Sequence, residues 1–145
     1  MMLTVRYWHS LRRTRVNWWP LVAGAMVVLF PFDWLSEAWP AFGAVFNRVF
    51  VTARDHAIGH ATLFFLLGML VLLSLARLRL HPLIYAGLLV PMALGQEALQ
   101  SIFKQEAPGL GDARDLFFDL VGWSLALGLV WLWYVVRASG MRRAA

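Results

Sequence analysis

The chain has 145 residues, of which 61% are hydrophobic and 14% charged. Soluble domains carry about 25% charged residues, so a soluble core of this size is excluded and an integral membrane protein of one domain, residues 1–145, is expected. The net charge of +5 raises a nucleic-acid partner, but the arginines adjoin apolar stretches instead of forming a basic face, and no nucleic acid is expected.

A bilayer core takes about 20 mostly apolar residues per helix, and four stretches qualify: 17–36, 57–76, 82–103 and 115–136. Pro31 is expected to kink or end the first of them near its far end. Ser36, Glu37 and Ala38 weakly resemble a signal-peptide cleavage site, but the apolar stretch is longer than a signal core and carries several aromatics, so a retained span is expected. Residues 37–55 follow, with Trp39, Phe42, Val45, Phe46, Val49 and Phe50 spaced as an amphipathic helix lying in the membrane interface. Trp18, Trp19, Trp34, Trp39, Trp131 and Trp133 stand at or near span ends, as interfacial belts do. The fold class is therefore an all-α membrane protein, a bundle of four transmembrane helices with an amphipathic interfacial segment between the first and second. There is no cysteine, so disulfides and thiol chemistry are excluded.

Charge sets the orientation. Nine of the thirteen basic residues flank one side: Arg6, Arg12, Arg13 and Arg15 before the first span, Arg77 and Arg79 after the second, Arg137, Arg142 and Arg143 after the fourth. The opposite loops hold only Arg48, Arg54, Lys104 and Arg114, and all eight acidic residues collect on that opposite side. By the positive-inside rule both termini are cytoplasmic and the acidic side faces outward.

The polar residues within the spans share a depth. At 1.5 Å per residue Glu97 stands roughly 22 Å up its span, while His60 and Asp119 each stand about one turn inside the outer ends of theirs. Each helix also carries a polar pair on one face: His56 with His60, Glu97 with Gln100 and then Lys104, Asp115 with Asp119 and then Gly122. A charged residue inside a span costs about 2.5–3.5 kcal/mol on insertion scales, so it faces the bundle interior or a wet cavity. Gly122 and Ala126 would allow close helix approach beneath the cluster, and Gly68, Gly87 and Gly128 read as packing residues. Each polar residue also has a plain structural reading: Gln100 as an interhelical hydrogen-bond group, Asp115 as a helix N-cap, Asp112 as a loop or capping group, His56 as merely exposed. Glu97, Asp119 and His60 are harder to dismiss, because a buried carboxylate needs a partner. The ligand-binding candidates are His56, His60, Glu97, Gln100, Lys104, Arg114, Asp115 and Asp119. His60, Glu97 and Asp119 are the catalytic candidates. No spacing forms a recognised metal or cofactor motif and none is assigned, although imidazole and carboxylates suit several divalent ions.

Three segments carry a family resemblance. Asp55 to Leu67 (DHAIGHATLFFLL), Glu97 to Phe103 (EALQSIF) and Asp115 to Gly122 (DLFFDLVG) resemble, in order and spacing, the Asp-Lys-x-x-His, Glu-x-x-Gln-x-x-Phe and Asp-x-x-x-Asn-x-x-Gly segments of the VanZ-like family of small bacterial membrane proteins. The chain departs from that pattern at His56, Ala57 and Asp119, where the family usually has Asp, Lys and Asn, and only Lys104 and Arg114 are candidates for the family's loop Arg. The resemblance implies a multi-pass protein of the bacterial inner membrane, in a family associated through its founding member with glycopeptide (teicoplanin) resistance and without an assigned biochemical activity.

The reading that follows is a protein that binds a membrane lipid or lipid-linked envelope molecule in an outward-facing polar pocket, with the 37–55 segment as a lid. One alternative is a membrane enzyme acting on a lipid head group, with His60 and Glu97 as the acid–base pair and Asp119 orienting the histidine or helping to hold a metal. The other is a structural subunit whose partner is a second copy or another membrane protein.

Overall fold

A computed structural model describes residues 17–143; Arg6, Arg12, Arg13 and Arg15, which carry part of the charge asymmetry, lie outside them. The described residues form six α-helices and no strand: α1 Trp19–Val28, α2 Phe32–Ala38, α3 Pro40–Val49, α4 Ala53–Ser74, α5 Pro82–Lys104 and α6 Leu110–Arg143, with a 3-10 turn over Ala76–Leu80 between α4 and α5.

Prolines set most of the boundaries. Pro20 opens α1, Pro40 opens α3 and Pro82 opens α5 at positions where a missing N–H costs nothing. Trp39 and His81 precede two of these prolines and are held out of the helical region, with φ −125° and −126°. α4 starts with a capping box: the Thr52 hydroxyl accepts from the Asp55 N–H at 3.2 Å and the Asp55 carboxylate accepts from the Thr52 N–H at 2.8 Å. Asp55, the first residue of the family-like segment, thus has a purely local role. At the opposite end of α4, Arg79 Nε donates to the Leu72 carbonyl at 2.8 Å, satisfying a helix-end acceptor.

α4, α5 and the 28-residue segment Leu110–Arg137 of α6 are each long and apolar enough to cross a bilayer. The first expected span, 17–36, is corrected: it is not one helix. α1 stops at Val28, and α2 leaves at 62° to it across the break before Pro31, so the pair counts as one broken span or a re-entrant turn. Pro31 has no N–H to continue the ladder, and the Phe30 N–H turns to the Val27 carbonyl at 3.3 Å, a tightened end. The amphipathic helix expected over 37–55 is also shorter, α3 covering Pro40–Val49. Conversely α6 begins at Leu110, five residues before the expected start of its span.

Each long helix turns one row of residues inward. Ala57, His60, Phe64, Leu67 and Val71 form the row on α4; Tyr85, Leu89, Ala93 and Glu97 on α5; Asp119, Ala126 and Val130 on α6. The rows are apolar along most of their length and polar at one shared end. Large residues such as Leu66, Leu73, Leu88, Leu94, Leu125 and Leu129 point outward, which suits a lipid solvent.

α4 packs most extensively on α6, and Gly122 makes this possible. A Cβ there would collide with the main-chain carbonyl of Ala61. Gly68 is filled in the same way, by the Tyr85 hydroxyl and by Ala126 Cβ at 3.0 Å, and that hydroxyl donates to the Trp123 carbonyl at 3.1 Å, tying α5 to α6. Gly87 and Gly128, expected as packing residues, face open space instead. Gly122→Ala should therefore lower the thermal midpoint in detergent, by the roughly 1–3 kcal/mol of an overpacked interface, whereas Gly128→Ala should leave it unchanged or slightly raised. Equal midpoints for the two variants would disprove this account of the α4–α6 contact.

Candidate functional site

The polar ends of the three rows meet. His60 lies about 10 Å from the start of α4, Glu97 about 10 Å from the end of α5 and Asp119 about 14 Å from the start of α6, at 1.5 Å per residue. Since α4 and α6 enter from the same end and α5 leaves there, the three side chains arrive at one depth. They are almost wholly enclosed: His60 and Glu97 are each 8% exposed and Asp119 is 0% exposed.

His60 is the hub. Its Nδ1 is 2.9 Å from Asp119 Oδ1, a hydrogen bond, and 3.6 Å from Glu97 Oε1. Its Nε2 is 3.9 Å from Asp115 Oδ2. Both faces of the ring thus meet carboxylates. Asp115 is in turn held by Arg114, whose Nε and a terminal nitrogen lie 3.2 and 3.1 Å from Asp115 Oδ1. Among the described residues neither Glu97 nor Asp119 has a lysine or arginine within ion-pair distance; His60 is their one basic neighbour. Both Glu97 oxygens and Asp119 Oδ2 are buried without a hydrogen-bond partner. Two buried carboxylates with only one imidazole between them call for a further positive species, a proton or a cation.

Other candidates stand apart. Lys104 pairs with Asp33 of α2 at 2.6 Å, next to a Trp34–Phe103 ring contact with centroids 5.2 Å apart, so it docks α2 onto α5. Gln100 is half-buried and, among the described residues, makes no hydrogen bond to the cluster. His56 lies against the rings of Phe46 and Phe50, with centroids 6.1 and 5.4 Å away, which joins α3 to α4. Asp115 is inside α6 and not its N-cap; that end is served by Asp112, which accepts from the Gly109 N–H at 2.5 Å. Gln96, which sequence reasoning passed over, is buried beside Glu97 with its Oε1 unpartnered. Its i+3 step from buried Ala93 was the available signal.

A shallow depression adjoins the cluster between α4 and α6. It is lined by the apolar Ala53, Ala57, Ile58 and Phe118 and by Arg54 and Arg114. Comparison of the chain with protein-family models, with curated proteins and with solved structures finds no match.

Asp119→Ala removes the partner that His60 Nδ1 has at 2.9 Å, a loss of about 1–3 kcal/mol. The thermal midpoint should fall clearly, Asp119→Asn should retain much of the stability through its remaining carbonyl oxygen, and His60→Ala with Asp119→Ala should lose less than the sum of the two. Full additivity in that double-mutant cycle would mean the two side chains do not interact.

Proposed function

We propose that the chain is a VanZ-like, multi-pass protein of the bacterial inner membrane that binds the anionic head group of a lipid or lipid-linked envelope molecule at its outward-facing end. The observation that carries this is the depression between α4 and α6, which Arg54 and Arg114 line together with the apolar Ala53, Ala57, Ile58 and Phe118. Guanidinium groups recognise phosphate through paired, charge-assisted hydrogen bonds, and Ile58 and Phe118 suit the first methylenes of an acyl or prenyl chain. Arg114 is pre-oriented by its bonds to Asp115. Lys104, engaged by Asp33, is left out of this head-group pair.

The VanZ-like reading rests on the three motif segments, and its support is that His60, Glu97, Asp115 and Asp119, one or two from each, converge on one spot. The outward orientation, the cytoplasmic termini and a four-helix bundle that counts α1 with α2 as one span rest on the charge asymmetry and on span length. With Arg54→Ala and Arg114→Ala, binding of phosphatidylglycerol measured by native mass spectrometry or vesicle flotation should weaken at least about tenfold relative to wild type, the scale of losing one charge-assisted contact. Equal binding of phosphatidylglycerol and phosphatidylcholine by the wild-type protein would end the head-group reading.

One observation favours the second reading, a membrane enzyme. His60 Nδ1 and Glu97 Oε1 lie 3.6 Å apart across two helices, near enough to exchange a proton through a small movement. In that case Glu97→Gln and His60→Ala, expressed at wild-type level, change the cellular lipid or lipid-linked pools in the same direction. Unchanged pools in both strains exclude acid–base chemistry at this pair.

A further inference from the structure

The buried cluster has more acceptors than donors, and their arrangement is informative. Three ligand-type atoms, one each from His60, Glu97 and Asp119, lie within 4.8 Å of one another. The edges from His60 Nδ1 to Asp119 Oδ1 and Glu97 Oε1 are 2.9 and 3.6 Å. A tetrahedral ion with bonds of about 2.0–2.2 Å to nitrogen and oxygen has ligand–ligand edges of about 3.3–3.6 Å. The Glu97 edge meets the upper end of that range and the Asp119 edge is about 0.4 Å shorter than its lower end, with the same imidazole nitrogen at their common corner.

A second, independent feature points inward. Asp119 is 0% exposed with Oδ2 unpartnered, and Glu97 is 8% exposed with both oxygens unpartnered. A proton shared between His60 and Asp119 serves one oxygen and leaves Glu97 unsatisfied, whereas a divalent ion at the corner engages all three side chains and offsets the negative charge. The opposite ring nitrogen has a carboxylate near it, beyond hydrogen-bond distance. Nε2 faces Asp115 Oδ2 at 3.9 Å, and Arg114 holds Asp115 in place. A small approach of Asp115 would let it accept from Nε2–H, the contact that fixes the tautomer of a ligating imidazole and raises its basicity.

We infer that His60 Nδ1, Glu97 and Asp119 form an intramembrane binding site for a first-row divalent cation, with Asp115 as the outer carboxylate on His60 Nε2. One nitrogen and two carboxylates make a borderline-to-hard ligand set, suited to zinc or manganese and not to copper(I). Three protein ligands leave at least one coordination position for water or an oxygen of a bound molecule, the arrangement of a reactive site and not of a purely structural one. This goes beyond the head-group reading and does not rest on it: the ligating residues His60, Glu97 and Asp119 are not the head-group pair Arg54 and Arg114, and the test needs no lipid.

Zinc is the probe. Purified wild-type protein in detergent, stripped with a chelator and then equilibrated with Zn2+ and desalted, should retain about one equivalent per chain by elemental analysis, and its thermal midpoint should rise with Zn2+ concentration as ligand linkage requires. Glu97→Gln keeps the shape and removes one ligand, and should weaken Zn2+ binding at least about tenfold, the scale of losing one metal contact. Gly128→Ala should bind as wild type does. Loading the wild-type protein with Co2+ needs no variant to fold, and visible absorption of the four-coordinate ion should appear and be displaced by Zn2+. Overturning results are the absence of both retained zinc and a thermal shift in the wild-type protein, or undiminished zinc binding in a folded Glu97→Gln variant. Loss of phosphatidylglycerol binding with retained zinc would remove the head-group reading alone.

Discussion

The backbone of α6 lies against the backbone of α4 at Gly122 and Ala61, and the polar site depends on this approach. Ala61 follows His60 in the chain, and Gly122 is one helical turn beyond Asp119. A side chain at residue 122 would push the helices apart just where His60 and Asp119 must come within 2.9 Å. In lipid there is no hydrophobic drive between helices, so close packing of small residues and hydrogen bonds across the interface must hold the pair. Here the two are within one turn of each other and reinforce one another.

The rows explain why charged groups are tolerated inside the span. α4, α5 and α6 each bury one row of residues, and that row changes from mostly apolar residues to Glu, Asp and His only at the end where α4 and α6 start and α5 ends. The cost of placing a carboxylate at that depth is reduced because every such group faces another helix and none faces lipid. Arg114 and Asp115 extend the polar chain from the buried imidazole to the exposed depression, so the interior and the surface are connected through His60 Nε2, Asp115 and Arg114.

Much of this was legible in the sequence. The helical class and three of the spans followed from apolar runs, and the shared depth of His60, Glu97 and Asp119 followed from counting residues at a fixed rise. Their mutual contact did not, because a residue's depth does not give the azimuth of its helix; which face meets which is decided by tertiary packing such as the Gly122 contact. The first span failed as a continuous helix although Pro31 was noticed, since composition gives a kink but no angle, and 62° is enough to divide it. Lys104 looked like an available cation, yet its partner Asp33 is more than seventy residues away in the chain and invisible to local spacing. Gln96 was missed because Gln100 matched a motif and drew the attention that belonged to the buried row.

The 34-residue length of α6 has a further consequence. At 1.5 Å per residue it is about 51 Å long, more than the whole bilayer with its head groups, and Arg114 and Arg137 lie about 35 Å apart on it. Two guanidinium groups seeking opposite phosphate layers act as a float line, because sliding the rod either way drags one of them into hydrocarbon. In a bilayer such a rod would pin the depth of Asp119 irrespective of how the shorter helices lean.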